Sequence, residues 1–96
     1  MFVSKILKSQ TYKNLFNIIS KSADELNQPT YLIGGFVRDI LLNKNIDKND
    51  IDIVTVGSSE KLATLVNKKL KIKNKVSIFK KFGTAMINYE STNIEF

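Results

Sequence analysis

Asp50 and Asp52 stand two residues apart, fifteen residues after a Gly34-Gly35 pair that is followed closely by Arg38 and Asp39. On a strand, alternate side chains share a face, so the two carboxylates point the same way with Cα atoms roughly 6–7 Å apart. That separation suits joint ligation of two Mg²⁺ ions ~3.5–4 Å apart, one activating an attacking hydroxyl and the other steadying a triphosphate and its departing pyrophosphate. Glycines without a Cβ let backbone N–H groups approach an anion at the start of a helix. Triphosphates arrive as Mg²⁺ complexes and need both a cradle and metal ligands, so the combination points to nucleotidyl transfer.

Arg38 is the only arginine among fifteen basic residues and falls on the first turn after the glycines. Its planar fork can bind two phosphate oxygens at once, which a lysine cannot. A structural ion pair with Asp39 or another acid is the competing role, and Asp39 itself reads mainly as an orienting partner. Two-metal sites usually draw on a third carboxylate from a neighbouring strand. Glu95 is preferred over Glu90: it alternates with Ile94 and Phe96, as Asp52 alternates with Ile51 and Ile53, whereas Glu90 falls in a turn.

Composition narrows the chemistry. The 96 residues, 43% apolar, allow one small domain with a modest core. The absence of cysteine and histidine excludes disulfides, thiolate zinc sites and every Ser-His-Asp or Cys-His arrangement. Fourteen lysines and one arginine against nine acids leave a net charge of +6, which favours polyanionic partners. Asparagine and isoleucine are abundant too, a pattern that AT-rich coding produces without selection on charge. The start, Met1 to Lys8, has lysines interrupting its apolar residues and does not read as a signal peptide. No apolar run approaches the ~20 residues that span a bilayer. A cytoplasmic location is the expectation.

Periodicity predicts the helices and strands that carry these groups. Apolar residues at Leu15, Phe16, Ile18, Ile19, Ala23 and Leu26 predict a supporting helix over Thr11 to Leu26. Asn27-Gln28-Pro29 ends it, and Thr30 to Ile33 is a short strand running into the glycines. Phe36 to Leu42 resumes helical spacing, and Asn45 to Asn49 is a polar loop. In the second strand Ile51, Ile53 and Thr55 alternate with Asp50, Asp52 and Val54, which places both acids opposite the core. Gly57-Ser58-Ser59 turns into and caps a helix over Glu60 to Leu70. Strands follow at Val76 to Phe79 and Thr84 to Tyr89, separated by Lys80-Lys81-Phe82-Gly83. Asn93 to Phe96 begins a last strand that is cut short.

Three stretches, Tyr31-Leu-Ile-Gly34-Gly35-Phe-Val-Arg38-Asp39-Ile-Leu-Leu42, Asp50-Ile-Asp52-Ile-Val54 and Phe82-Gly83-Thr84-Ala85, resemble the head domain of bacterial tRNA nucleotidyltransferases and the related poly(A) polymerases. The likeness covers roughly residues 15 to 96. It implies a polymerase-β-like α/β (α+β) head, a small mixed or antiparallel sheet flanked by helices. It also implies that Gly35 and Arg38 meet the triphosphate and that Asp50 and Asp52 bind Mg²⁺. Asn43 replaces the glycine that usually follows the Leu-Leu pair, a change that asparagine accommodates at a left-handed helix end. Members of the family continue into neck, body and tail domains, so the chain is expected to be a single head truncated at its C-terminal end.

The resemblance implies that the parent protein adds C, C and A to tRNA 3′ ends from CTP and ATP; Glu95, chosen above from strand alternation, would position or activate the terminal ribose hydroxyl. A poly(A) polymerase or a partial-CCA enzyme is the runner-up, since head motifs do not separate them. From another class comes a non-catalytic nucleic-acid-binding module that uses Lys68, Lys69, Lys71, Lys73 and Lys75; such a binder would be indifferent to Asp50 and Asp52. A third reading is a bare folding unit whose truncated last strand leaves an exposed sheet edge able to pair between chains.

Overall fold

The computed structural model of the chain describes residues 10–34, 38, 50–90 and 92–96. The helical apolar spacing of the first segment forms α1, Gln10–Glu25, which buries Leu15, Phe16, Ile19 and Ala23. Asn27 ends it in the left-handed region at φ 56°, and the Gln28 N–H donates to the Ala23 carbonyl at 2.9 Å. Asparagine tolerates that conformation, and Pro29 behind it cannot extend the helix. The strands are β1 (Thr30–Ile33), β2 (Asp50–Thr55), β3 (Ser77–Phe79), β4 (Thr84–Tyr89) and β5 (Thr92–Glu95). Between β2 and β3 lies α2, Ser59–Lys69, capped by the Ser58 hydroxyl, which accepts from the Lys61 N–H at 3.1 Å. A 3₁₀ turn, Lys80–Phe82, closed by Gly83 at φ 66°, joins β3 to β4.

The five strands form one mixed sheet in the order β1-β2-β5-β4-β3. Only β2 and β5 run parallel; the other pairs are antiparallel. Ile51, Ile53, Ala85, Ile87, Ile94 and Phe96 project from one face into a cluster with Leu15, Phe16, Ile19 and Ala23 of α1 and Leu62, Ala63 and Val66 of α2. Ile51, Leu62 and Ile94 are fully buried, each contributing about 1.5–3 kcal/mol by removal from water. Both described helices therefore cover the same face, and an ion pair between Glu25 and Lys69 ties their ends together. The opposite face carries the residues that alternate with the core.

The exposed edge of the third reading is not found: β5 starts at Thr92, lies in the middle of the sheet and pairs with β2 on one side and β4 on the other. Pairing continues to Phe96, whose N–H donates to the Ala85 carbonyl at 2.7 Å. The parallel register with β2 satisfies the backbone groups that an edge would leave open. Among the described residues the edges are β1 and β3. The predicted helix over Phe36 to Leu42, with Gly35, Asp39 and Asn43, and the loop over Asn45 to Asn49 lie outside the described residues, Arg38 excepted.

Gln28 stitches the turn after β2 to the start of β1. Its amide donates to the Thr55 hydroxyl at 2.9 Å, and its carbonyl oxygen accepts from the Ser58 N–H at 3.1 Å. Gly57, at φ +140°, leaves room for this side chain: a Cβ there would stand 2.5 Å from the Gln28 Cδ. Gly57→Ala is expected to destabilise the fold by about 2–4 kcal/mol, combining backbone strain with loss of the Gln28 bonds. Urea denaturation measures it, with Gly83→Ala as the comparison, since a Cβ at Gly83 meets nothing within 4 Å and only the strain of φ +66° remains.

Candidate active site

The alternation of β2 does what its sequence requires. Ile51 and Ile53 are buried, while Asp50 and Asp52 stand exposed on the open face of the sheet. Strand register extends this into two lateral rows. In the first, Ile33 of β1 pairs with Asp52, Asp52 with Glu95 of β5, and Glu95 with Met86 of β4. In the second, Asp50 pairs with Asn93 and Asn93 with Asn88. Glu95 thus shares a face with both aspartates and sits directly beside Asp52 on the neighbouring strand, at the usual spacing of ~4.8 Å between strands.

The glycine turn arrives at the same place. Gly34 follows the end of β1 at φ +84°, a conformation that side chains with a Cβ rarely adopt. A Cβ built on it would stand 2.9 Å from Asp52 Oδ2. The Arg38 N–H donates to the Gly34 carbonyl at 3.2 Å, and Arg38 is exposed. The antiparallel pairing of Ile33 with Asp52 causes this meeting, because it brings the residue after β1 alongside the carboxylate of β2. Gly35, the other half of the predicted cradle, lies outside the described residues.

Asp52 and Glu95 form a like-charge pair directly across two strands, an arrangement that costs a sheet up to about 1 kcal/mol. A cation bound at this face would offset that cost. Asp50 and Asp52 fit Mg²⁺ by their chemistry: they are exposed hard oxygen donors on one face, beside a glycine whose missing Cβ leaves Asp52 Oδ2 unobstructed. Among the described residues no three acidic side chains converge into a metal-binding cluster. Glu90, in the left-handed region at φ 48°, occupies the turn between β4 and β5 and has no place in the rows.

Two further side chains belong to this face and were not singled out by sequence reasoning. Asn93 Nδ2 donates to Asp50 Oδ1 at 3.3 Å, and Asn88 Nδ2 donates to Asn93 Oδ1 at 2.7 Å. The signal was available, since Asn93 precedes Glu95 by two and must share its face. The lysines of the predicted basic edge surround the end of α2, where Lys71 adopts φ 57° and Lys68, Lys71, Lys73 and Lys75 are exposed. Among the described residues no helix is long and apolar enough to cross a membrane.

A family model described as the poly A polymerase head domain matches residues 30–96. The chain is 41% identical over 69 residues to an A-adding tRNA nucleotidyltransferase of Geobacter sulfurreducens, a stretch that covers 72% of this chain and 7% of that protein. Its fold is similar to that of a CCA-adding enzyme in complex with ATP, with a TM-score of 0.83 and 35% identity over 97% of this chain and 22% of that one. A Thermotoga maritima CCA-adding enzyme complexed with tRNA matches with a TM-score of 0.82 and 36% identity, covering 97% of this chain and 23% of that one. The chain therefore spans less than a quarter of the length of each of these relatives.

Proposed function

The chain belongs to the poly A polymerase head-domain family, and from that premise we propose that it is the catalytic head of an enzyme that transfers nucleotides from CTP and ATP to tRNA 3′ ends. The observation that carries the reading is the position of Asp52 Oδ2, 2.9 Å from the point a Gly34 Cβ would occupy. It supports the reading because a carboxylate able to hold a metal stands against a positive-φ glycine turn, where backbone N–H groups can approach a phosphate.

In this reading Asp50 and Asp52 hold Mg²⁺, which when bound acidifies the attacking hydroxyl and neutralises charge on the triphosphate. Backbone N–H groups at the Gly34-Gly35 turn and the guanidinium of Arg38 bind phosphate oxygens and fix the chain of phosphates relative to β2. Glu95, next to Asp52 in the register, orients the terminal ribose hydroxyl and takes up its proton. The hydroxyl oxygen bonds to the α-phosphorus, and the bond from that phosphorus to the pyrophosphate oxygen breaks. The carboxylates face solvent, so the tRNA end approaches over the open side of the sheet while the core stays intact beneath it.

The likeness to an A-adding enzyme gives specific support to a second reading, in which the parent protein adds only the final A. Both are tested by offering the parent protein tRNA lacking CCA and tRNA ending in CC, with radiolabelled CTP and ATP. CMP and AMP incorporation on the first substrate supports full CCA addition. AMP incorporation on the second alone assigns A addition. Extension of an RNA without a tRNA fold would make the parent a poly(A) polymerase. Salt-sensitive RNA binding without incorporation, unaffected by Asp50→Asn, would assign the non-catalytic module instead.

A further inference from the structure

Asn88, Asn93 and Asp50 form one lateral row across three strands, β4, β5 and β2. The row is joined by two hydrogen bonds with a single sense: Asn88 Nδ2 donates to Asn93 Oδ1 at 2.7 Å, and Asn93 Nδ2 donates to Asp50 Oδ1 at 3.3 Å. We propose that Asn93, buttressed by Asn88, is a positioning residue that sets the Asp50 carboxylate for metal binding. The inference rests on the assignment of Asp50 as a metal ligand.

The chemistry of the groups fixes the direction of the chain. An ionised carboxylate only accepts hydrogen bonds, so Asn93 must turn its NH₂ toward Asp50 and its carbonyl oxygen away. That carbonyl oxygen then meets the NH₂ of Asn88. A reversed Asn93 amide would set its carbonyl oxygen against the carboxylate and its NH₂ against the NH₂ of Asn88, losing both bonds. The carboxylate thus imposes one orientation on Asn93, and Asn88 locks it.

A carboxamide suits this role better than a cation. It donates to Oδ1 without cancelling the charge that attracts the metal, and it leaves Oδ2 outside the bond. Asp50 is exposed on the open face, where an unrestrained carboxylate samples several rotamers. Holding it in one orientation removes an entropic cost from metal binding, as partners that hydrogen-bond metal ligands commonly do. The supports are on rigid strands: Asn93 lies between buried Thr92 and Ile94, and β5 is paired on both sides.

The test is Mn²⁺ binding to the chain, followed by electron paramagnetic resonance of the free ion, which needs neither tRNA nor turnover. Asn93→Leu keeps the size and removes the donor, and is expected to weaken Mn²⁺ binding about 10-fold, the lower end of what such partners contribute. Asn88→Leu should weaken it less, by about 2- to 3-fold, and the double variant should match Asn93→Leu alone, because both act through one chain of bonds. Asn93→Ala reads the same loss should Asn93→Leu melt below the assay temperature. Unchanged Mn²⁺ affinity in the Asn93 variants, with affinity lost in Asp50→Asn, overturns the positioning role and leaves the ligand assignment standing. Affinity unchanged even in Asp50→Asn overturns both. A fall in melting temperature alone, with Mn²⁺ binding intact, marks a purely structural strand contact and also overturns the proposal.

Discussion

Asp52→Asn is expected to lower nucleotide incorporation by at least about 10³-fold while moving the melting temperature little. Asparagine keeps the shape of the side chain and its exposed position on β2, so the core beneath is untouched. It even relieves the like-charge pair with Glu95. The loss falls on the reaction, because a neutral amide is a poor Mg²⁺ ligand and the charge that the metal offsets in the transition state amounts to several kcal/mol. A 10³-fold loss corresponds to about 4 kcal/mol. Asp50→Asn should behave similarly, whereas Glu95→Gln should cost less, about 10²-fold, the usual contribution of a positioned acid or base. Single-turnover incorporation by the parent protein, with melting curves of each variant, measures all three. Equal or larger losses in stability than in rate would contradict the placement of these acids on an open functional face.

Gly34→Ala carries the second large effect, and its origin is different. At φ +84° an alanine is strained by about 1–2 kcal/mol, and its methyl group would stand 2.9 Å from Asp52 Oδ2. That oxygen is the end of a movable side chain, so the contact is relieved by turning the carboxylate away, with little further cost to the fold. Stability should fall by no more than about 2 kcal/mol. Turnover should fall about 10²- to 10³-fold, since the methyl both displaces Asp52 and fills the space where backbone meets phosphate. A Gly34→Ala protein with modest destabilisation and full activity would show that the turn and the carboxylate do not cooperate.

How much of this was legible in the sequence follows from what each feature depends on. The alternation in Asp50–Thr55 was readable because one face of β2 is buried, and a one-residue slip would put Ile51 and Ile53 in water. The cap at Ser58 and the helix after it were readable because the signals are local. The place of β5 was not. Its run of Thr92-Asn93 looks like the end of a turn, and nothing in residues 92–96 by themselves says that they enter between β2 and β4. That insertion is set by the parallel pairing of β5 with β2 and by the burial of Ile94 in the core cluster, which are properties of the assembled sheet.

The site divides the same way. Asp50, Asp52 and Gly34 could be chosen from residue types and spacing, and Glu95 from strand alternation. Their meeting depends on the register of Ile33 with Asp52 and of Asp52 with Glu95, which no local pattern encodes. Asn93 and Asn88 escaped for a related reason: asparagine in a chain rich in asparagine attracts no notice until a register sets it beside a carboxylate. Gln28 is similar, a residue read only as part of a helix stop that in the fold fills the space left by Gly57.

Calorimetric titration of ATP and CTP into this chain, with and without Mg²⁺, decides whether the carboxylate pair and the glycine turn form one metal-dependent nucleotide site. Binding that requires Mg²⁺ and disappears in the Asp50→Asn/Asp52→Asn double variant, with its melting curve preserved, is the expected result. Nucleotide binding of equal strength without Mg²⁺ and in the double variant would contradict it.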